Sequence, residues 1–420
     1  MSLADVHALE NSHITKSDQI QSTGAREART FWLPELDGLR SLAFILVYYH
    51  HTIGLFWRDN PGNSPLYRFI FYADQRIHNW GWVGVDLFFV LSAFLITSLL
   101  LRERESYSAE GNANDTISLK KFFARRILRI WPLYFCYLSL VALLSLVLSP
   151  AYTGDTLFGS GPGQGGWQQL LAFALFVGNF AVISQGVVLH LLNPMWSLCI
   201  EEQFYIVWGA SMKMLNKNSY LLALLVAAGL AAPALRYYLW SLDAKNYLAY
   251  YLNSVSHCDA IVCGGIAAFA WRRYGEKFQA SPLLQGGLAL ATAALLAPLT
   301  FVPYIEASDA SIIWVMSAVA LGFTGLLLTT MSNKSVRAFF ASPFLTHIGR
   351  LTYGLYMFHF LVIYTLVYVS RNQLHIASRL TLMAITWLLG LTLTYVLARL
   401  SWKFIEAPCL AAKERFRSDR

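Results

Sequence analysis

Apolar runs of about twenty residues recur along the whole of this chain, and that repetition decides its class before any motif is read. A helix of about twenty residues covers the ~30 Å hydrocarbon core of a bilayer. Lipid offers the backbone no hydrogen-bond partner, so such runs cross it as helices. About eleven are legible, at 36–57, 81–102, 126–149, 168–187, 195–214, 219–240, 257–272, 283–304, 310–331, 346–369 and 378–402. Charged residues make up only 13% of the 420, and the mean hydropathy is +0.46; a soluble domain carries about 25% charge. The expected fold class is all-α, a polytopic transmembrane helical bundle. Trp57, Trp80, Trp131, Trp167, Trp240, Trp271 and Trp402 fall near run ends, where indole rings favour the membrane interface.

Topology follows from the basic residues. Lys and Arg cluster at 102–129, 213–217, 272–277, 334–337 and 403–420, while 150–166, 241–256 and 305–309 are poor in them. The net charge of +8 is therefore read through the positive-inside rule, and no nucleic-acid partner is needed to explain it. If 168–187 crosses the membrane, four of the five clusters land outside; if it does not, all lie inside. That run is also the weakest, broken by Gly178, Asn179, Ser184, Gln185 and Gly186. The expectation is about ten full spans with 168–187 re-entrant or peripheral and both termini cytoplasmic.

Residues 1–33 are polar, lack the apolar stretch of a secretion signal, and read as a disordered cytoplasmic tail. The membrane domain is expected over 34–408, and a short basic tail over 409–420. The five cysteines form no CxxC pair and no metal spacing, so no metal site is expected. No internal repeat is evident, which weighs against transporter folds built from repeats.

Polar groups inside apolar runs are costly and mark candidate function. Arg40 and His51, eleven residues apart, share a helix face at depths ~16 Å apart. Arg126 and Arg129 share a face at i, i+3 beside Arg125; they suit either a topological anchor or a phosphate clamp, since guanidinium forks pair with phosphate oxygens. Trp196–Tyr205 sets Ser197 one turn from Glu201, with Glu202 adjacent, where helix capping explains one carboxylate more easily than two. Asp86 and Ser92 fall in the second run, with Asp86 read as a buried partner for an Arg or His. Tyr353 and His359 fall in a late one. Asp37 is read as the cap of the first helix.

Together these blocks resemble the acyltransferase type 3 family of membrane enzymes that O-acylate surface sugars and some small molecules. The resemblance rests on Leu36-Asp37-Gly38-Leu39-Arg40 with His51, on Gly84–Phe94, on Arg126 with Arg129, on Trp196–Tyr205 and on Tyr353–His359, in that order, covering 34–408. Departures are Ala93 for a usual Gly, Cys199 for a usual Ser, and His257-Cys258-Asp259 where an Arg commonly precedes the Asp. The resemblance implies a stand-alone membrane acyltransferase without the soluble esterase-like domain of some members. It also implies a bacterial cytoplasmic membrane location, acyl-CoA as co-substrate with no cofactor, and a carbohydrate or glycoconjugate acceptor.

Within that reading His51 is the general base, since an imidazole titrates in the useful range. Arg126, Arg129 and Arg125 hold the donor phosphates, and Arg40 orients the thioester end. Glu201 orients the histidine, binds its protonated form or holds the acceptor. Asp37, Asp86, Ser92, Ser197, Tyr353 and His359 support the site. The competing reading is a transporter or flippase for a glycolipid or small molecule, which would also place Arg, His and Glu in spans.

Overall fold

A computed structural model describes residues 33–53, 79–109, 117–148, 166–187, 189–301 and 310–413, with positions 65, 66, 68, 69 and 72. The expected tail over 1–33 lies outside them save for Leu33, as do residues 414–420 of the expected C-terminal tail. Among the described residues every regular element is helical. The elements that matter are α1 (Pro34–Ile53), α2 (Gly84–Ala109), α3 (Leu119–Leu148), α4 (Gly166–Ala174), α5 (Gly178–Gln185), α6 (Trp196–Met214), α7 (Asn218–Leu242), α8 (Asp259–Ala280), α9 (Pro282–Leu296), α10 (Ile312–Ser332), α11 (Pro343–Tyr368) and α12 (Gly390–Ser401).

Seven helical stretches among the described residues are long and apolar enough to cross a bilayer: Trp80–Ala109, Leu119–Val147, Asn218–Leu242, Pro282–Thr300, Ile312–Ser332, Pro343–Gln373 and Leu380–Ala412. This is fewer than the ten or so expected. The difference falls on α1, α6 and α8, which at 20, 19 and 22 residues have the length but whose polar and charged residues leave them short of the apolar composition. Two of those three, α1 and α6, bear the candidate site.

The 168–187 run is broken. α4 and α5 have 9 and 8 residues, too few to cross, and the chain turns between them at Phe176, whose φ is +58°. Irregular backbone at such a place must be covered by protein, and here it is. Gln203 Nε2 donates to the Phe176 carbonyl at 2.7 Å and to Asn179 Oδ1 at 3.0 Å. Asn179 Nδ2 in turn donates to the Leu252 carbonyl at 3.0 Å. Gln169 ties down the far end, donating to the Gly186 carbonyl at 2.6 Å and accepting from the Leu189 amide at 3.1 Å.

Helix directions follow from paired contacts. Ser41 donates to the Leu345 carbonyl near the start of α1 and α11, and His51 meets His359 further along both; the two helices run the same way. α3 runs with them, touching α11 through Ile130 at Tyr353 and through Tyr137 at Phe358. α6 runs opposite, with Ser197 at the level of Tyr356 and Glu202 reaching Trp131. This common direction of α1, α3 and α11 requires an odd number of crossings between each pair, which a non-crossing 168–187 supplies.

Glycine permits the closest approach. A Cβ on Gly349 would fall 1.9 Å from the Asp37 carbonyl oxygen, and one on Gly38 1.9 Å from that of Phe340. The seam between α1, α11 and α12 is then filled by Phe44, Tyr48, Leu351, Leu355, Ile363 and Ala398. α1 starts at Pro34, where a ring with fixed φ and no N–H suits a first turn. Asp37 therefore lies inside the helix and is not its cap, contrary to the sequence expectation.

Candidate active site

The parallel α1 and α11 bring two histidines from opposite ends of the chain into contact. His51 Nδ1 and His359 Nε2 are 2.9 Å apart, and His359 Nδ1 lies 2.6 Å from the Tyr356 carbonyl oxygen. A carbonyl only accepts, so His359 Nδ1 carries a proton. In a neutral His359 the other nitrogen, Nε2, must then accept, and His51 Nδ1 donates to it. That chain of donors leaves the lone pair of neutral His51 on Nε2. His359 is fully buried and held edge-on by Phe44 at 6.1 Å, while His51 is only half-buried. The fixed ring thus orients the accessible one.

Below the histidines stands a series of hydroxyl and carboxylate groups. Ser197 Oγ and the Tyr356 hydroxyl are 2.8 Å apart, and Tyr356 also donates to the Pro194 carbonyl. Ser197 also reaches the Pro194 carbonyl at 3.3 Å, and its partner across the bundle is the helix that bears His359. One turn on, Glu201 accepts from Ser92 Oγ at 3.0 Å and from the Tyr205 hydroxyl at 2.8 Å, one bond to each oxygen. Glu201 is thus bound to α2 and its own helix, and the group that orients His51 is His359. Glu202 accepts from Trp131 Nε1 at 3.3 Å, and Tyr353 donates to the Ile130 carbonyl at 2.7 Å, joining α11 to α3 just past the arginines.

At the other end of the column lie the guanidinium groups. Arg40 Nη1 pairs with Asp37 Oδ1 at 2.5 Å. Arg126 is half-buried, and its Nε is buried with no hydrogen-bond partner among the described residues. Arg129 is solvent-accessible. Arg40, Arg126 and Arg129 act on one another, so three cations share one region; of the carboxylates near them Asp37 is bonded to Arg40, while Glu201, Glu202 and Glu406 act through space. Like charges crowded in this way favour an anion among them. Arg125 turns elsewhere: its Nη2 bonds Glu103 Oε2 at 2.8 Å, while Glu103 Oε1 accepts the Ser118 amide. It clasps the connection between α2 and α3, a partner that Arg126 and Arg129 do not share.

Asp86 has the imidazole partner expected of it. Its Oδ1 lies 3.1 Å from His257 Nε2, and His257 Nδ1 is 2.6 Å from the Tyr251 carbonyl. The carbonyl requires a proton on Nδ1, so the Asp86–His257 contact holds one further shared proton. This is where the sequence departure at 257 falls: an imidazole, caged by Trp196, Phe89 and Tyr251, occupies the place beside Asp86.

Sequence reasoning missed Arg236. It is fully buried in α7 and binds Asp259 through two bonds, Nη1 to Oδ1 at 2.8 Å and Nη2 to Oδ2 at 2.6 Å. It also donates to the Ile313 carbonyl, the Ser256 carbonyl and Ser317 Oγ. Its signal was present: a lone Arg inside the apolar run 219–240 demands a partner. Glu406, also missed, is 6% exposed and accepts from Ser401 Oγ at 2.8 Å within a π-helical turn.

Taken together, fold and site define a multi-pass helical membrane protein with a histidine pair and a cluster of arginines carried on its helices. The chain belongs to the acyltransferase 3 family, whose acyltransferase-domain model matches residues 33–401. It is similar to the peptidoglycan O-acetyltransferase OatA of Listeria monocytogenes, 25% identical over 395 residues, covering 90% of this chain and 56% of that one. It is likewise similar to the O-acetyltransferase OatA of Staphylococcus aureus, 24% identical over 389 residues, covering 90% and 57%. The chain thus spans a little over half the length of the curated relatives it matches. No solved structure matches it.

Proposed function

We propose that this protein is a bacterial cytoplasmic-membrane O-acyltransferase that moves an acyl group, acetyl by default, from cytosolic acyl-CoA to a hydroxyl of a sugar or glycoconjugate. The observation that carries the reading is the His51–His359 contact at 2.9 Å, which leaves His51 Nε2 as the proton acceptor. The relatives' names, peptidoglycan O-acetyltransferase among them, favour a carbohydrate acceptor.

In this reaction the acceptor O–H gives its proton to His51 Nε2 as its oxygen attacks the thioester carbonyl carbon. The tetrahedral adduct collapses, the C–S bond breaks, and the coenzyme A thiolate takes the proton back from the His51 imidazolium. His359 accepts from His51 Nδ1–H throughout and stabilises the charge that builds on the ring. Arg126 and Arg129, with Arg40 near them, neutralise the donor phosphates. The ~16 Å rise from Arg40 to His51 is then spanned by the pantetheine arm, which is uncharged, so donor and acceptor approach from opposite faces.

The test uses purified protein in liposomes with radiolabelled acetyl-CoA and a soluble glycan acceptor. Labelled ester on the glycan, lost in His51→Ala while the folded protein remains, is the expected result. A flippase or transporter would turn over no thioester, and that outcome would overturn the reading.

A further inference from the structure

The apolar stretch Leu380–Ala412 carries a carboxylate where lipid would exclude one. Glu406 is 6% exposed and closes a π-helical turn, Trp402–Glu406, a distortion often found at working positions of a helix. Its Oε1 accepts from Ser401 Oγ at 2.8 Å. That oxygen also lies 3.1 Å from where a Cβ on Gly354 would stand, so glycine there gives the carboxylate room against α11. Arg129 faces the complementary problem. It makes no direct hydrogen bond or ion pair among the described residues, although Arg40 and Arg126 crowd it.

The two groups meet at one seam. The turn that ends at Glu406 packs on α3, as does the short helix that follows it, Ala407–Lys413. Tyr353, the neighbour of Gly354, donates to the carbonyl of Ile130, the neighbour of Arg129. The cation acting on Glu406 is Arg129. From this arrangement we infer that Glu406 is a positioning residue of the donor site: anchored by Ser401, its carboxylate draws the Arg129 guanidinium to the α3–α11 seam and holds it ready for a coenzyme A phosphate. This rests on the function proposed above and adds what aims the arginine that meets the donor.

Charge is what singles Glu406 out. A bond from Ser401 alone would be served by an amide, whereas a carboxylate buried in a span is costly unless a cation offsets it. Arg40 already has Asp37, and Arg125 has Glu103. Arg129 has no bonded carboxylate among the described residues, and an arginine without a fixed partner spreads over many rotamers. A nearby anion narrows that spread. Because Glu406 acts through space and takes none of the N–H groups, the whole guanidinium fork stays free to bond phosphate oxygens.

The experiment is a double-mutant cycle in proteoliposomes: wild type, Glu406→Gln, Arg129→Ala and the double variant. The donor is acetyl-CoA and the acceptor a soluble β-linked N-acetylglucosamine oligomer. Glu406→Gln removes the charge and keeps an oxygen for Ser401, so the fold is retained, as melting in detergent will show. It should raise the donor KM roughly three- to tenfold, with acceptor KM unchanged. In the Arg129→Ala background the same substitution should change donor KM by less than about twofold, because the side chain it positions is gone. A donor KM in Glu406→Gln that is unchanged or lowered, or an equal rise with and without Arg129, would overturn the positioning role while leaving the transferase standing. Failure of wild type to turn over acetyl-CoA would overturn the transferase and this role together.

Discussion

His359 holds His51 by its Nδ1 at 2.9 Å, and is itself held by the carbonyl of Tyr356, three residues earlier on its own helix. The relation places an oriented imidazole between two parallel helices, α1 near its end and α11 part-way along. In the proposed transferase the second histidine serves by geometry, without touching substrate.

Removing His51 and removing His359 should therefore differ in degree. General-base catalysis is worth about 10²–10⁴-fold, so His51→Ala is expected to lose kcat on that scale. His359→Ala keeps the base and frees its ring, with an expected loss of about tenfold to 10²-fold in kcat and little change in either KM. Steady-state kinetics with acetyl-CoA decides it. A wild-type kcat in His359→Ala would remove the orienting role.

The three neighbouring arginines should separate into two behaviours. Arg126→Ala and Arg129→Ala each remove charge-assisted bonds of about 1.5–3 kcal/mol, and donor KM should rise about 10- to 100-fold in each. Arg125→Ala leaves Glu103 buried and unpaired, so it should lower thermal stability with donor KM near wild type. Donor affinity by isothermal titration and melting temperature in detergent provide the two readouts.

Arg236 and Asp259 should matter for folding more than for chemistry. Cutting one partner from a buried, hydrogen-bonded ion pair costs about 3–5 kcal/mol, and Arg236 is fully enclosed. Arg236→Ala and Asp259→Ala are each expected to reduce the yield of monodisperse protein in detergent. The double variant should recover part of the loss. Additive losses would mean the two side chains do not act as a pair.

Topology can be read chemically. Single cysteines placed beside Arg129 should react with an impermeant maleimide in inside-out vesicles, and cysteines placed in 58–79 in right-side-out vesicles. Labelling of both from one side would exclude approach of donor and acceptor from opposite faces.

Class, helix positions and the polar exceptions from which the candidate site is built were legible from residues alone, because lipid imposes a simple rule. Apolar runs of fixed length become helices, and any charge left inside them needs a reason. Arg40, His51, Arg126, Arg129, Ser197 and Glu201 were visible as such exceptions, as were the interruptions that break 168–187 at Phe176. Asp86 was read as a buried partner for an Arg or His, and His257 is that partner. Which exceptions meet was not legible. The pairing of His51 with His359 spans 308 positions and depends on α1 and α11 running the same way, with Gly38 and Gly349 letting backbones close. Arg125 differs from Arg126 only by one step of helix rotation, about 100°, yet that step turns it to Glu103. Local pattern reports what a segment must bury; three-dimensional packing alone decides against what, since the partner of a buried polar group is chosen by helix direction and rotation that no single run encodes.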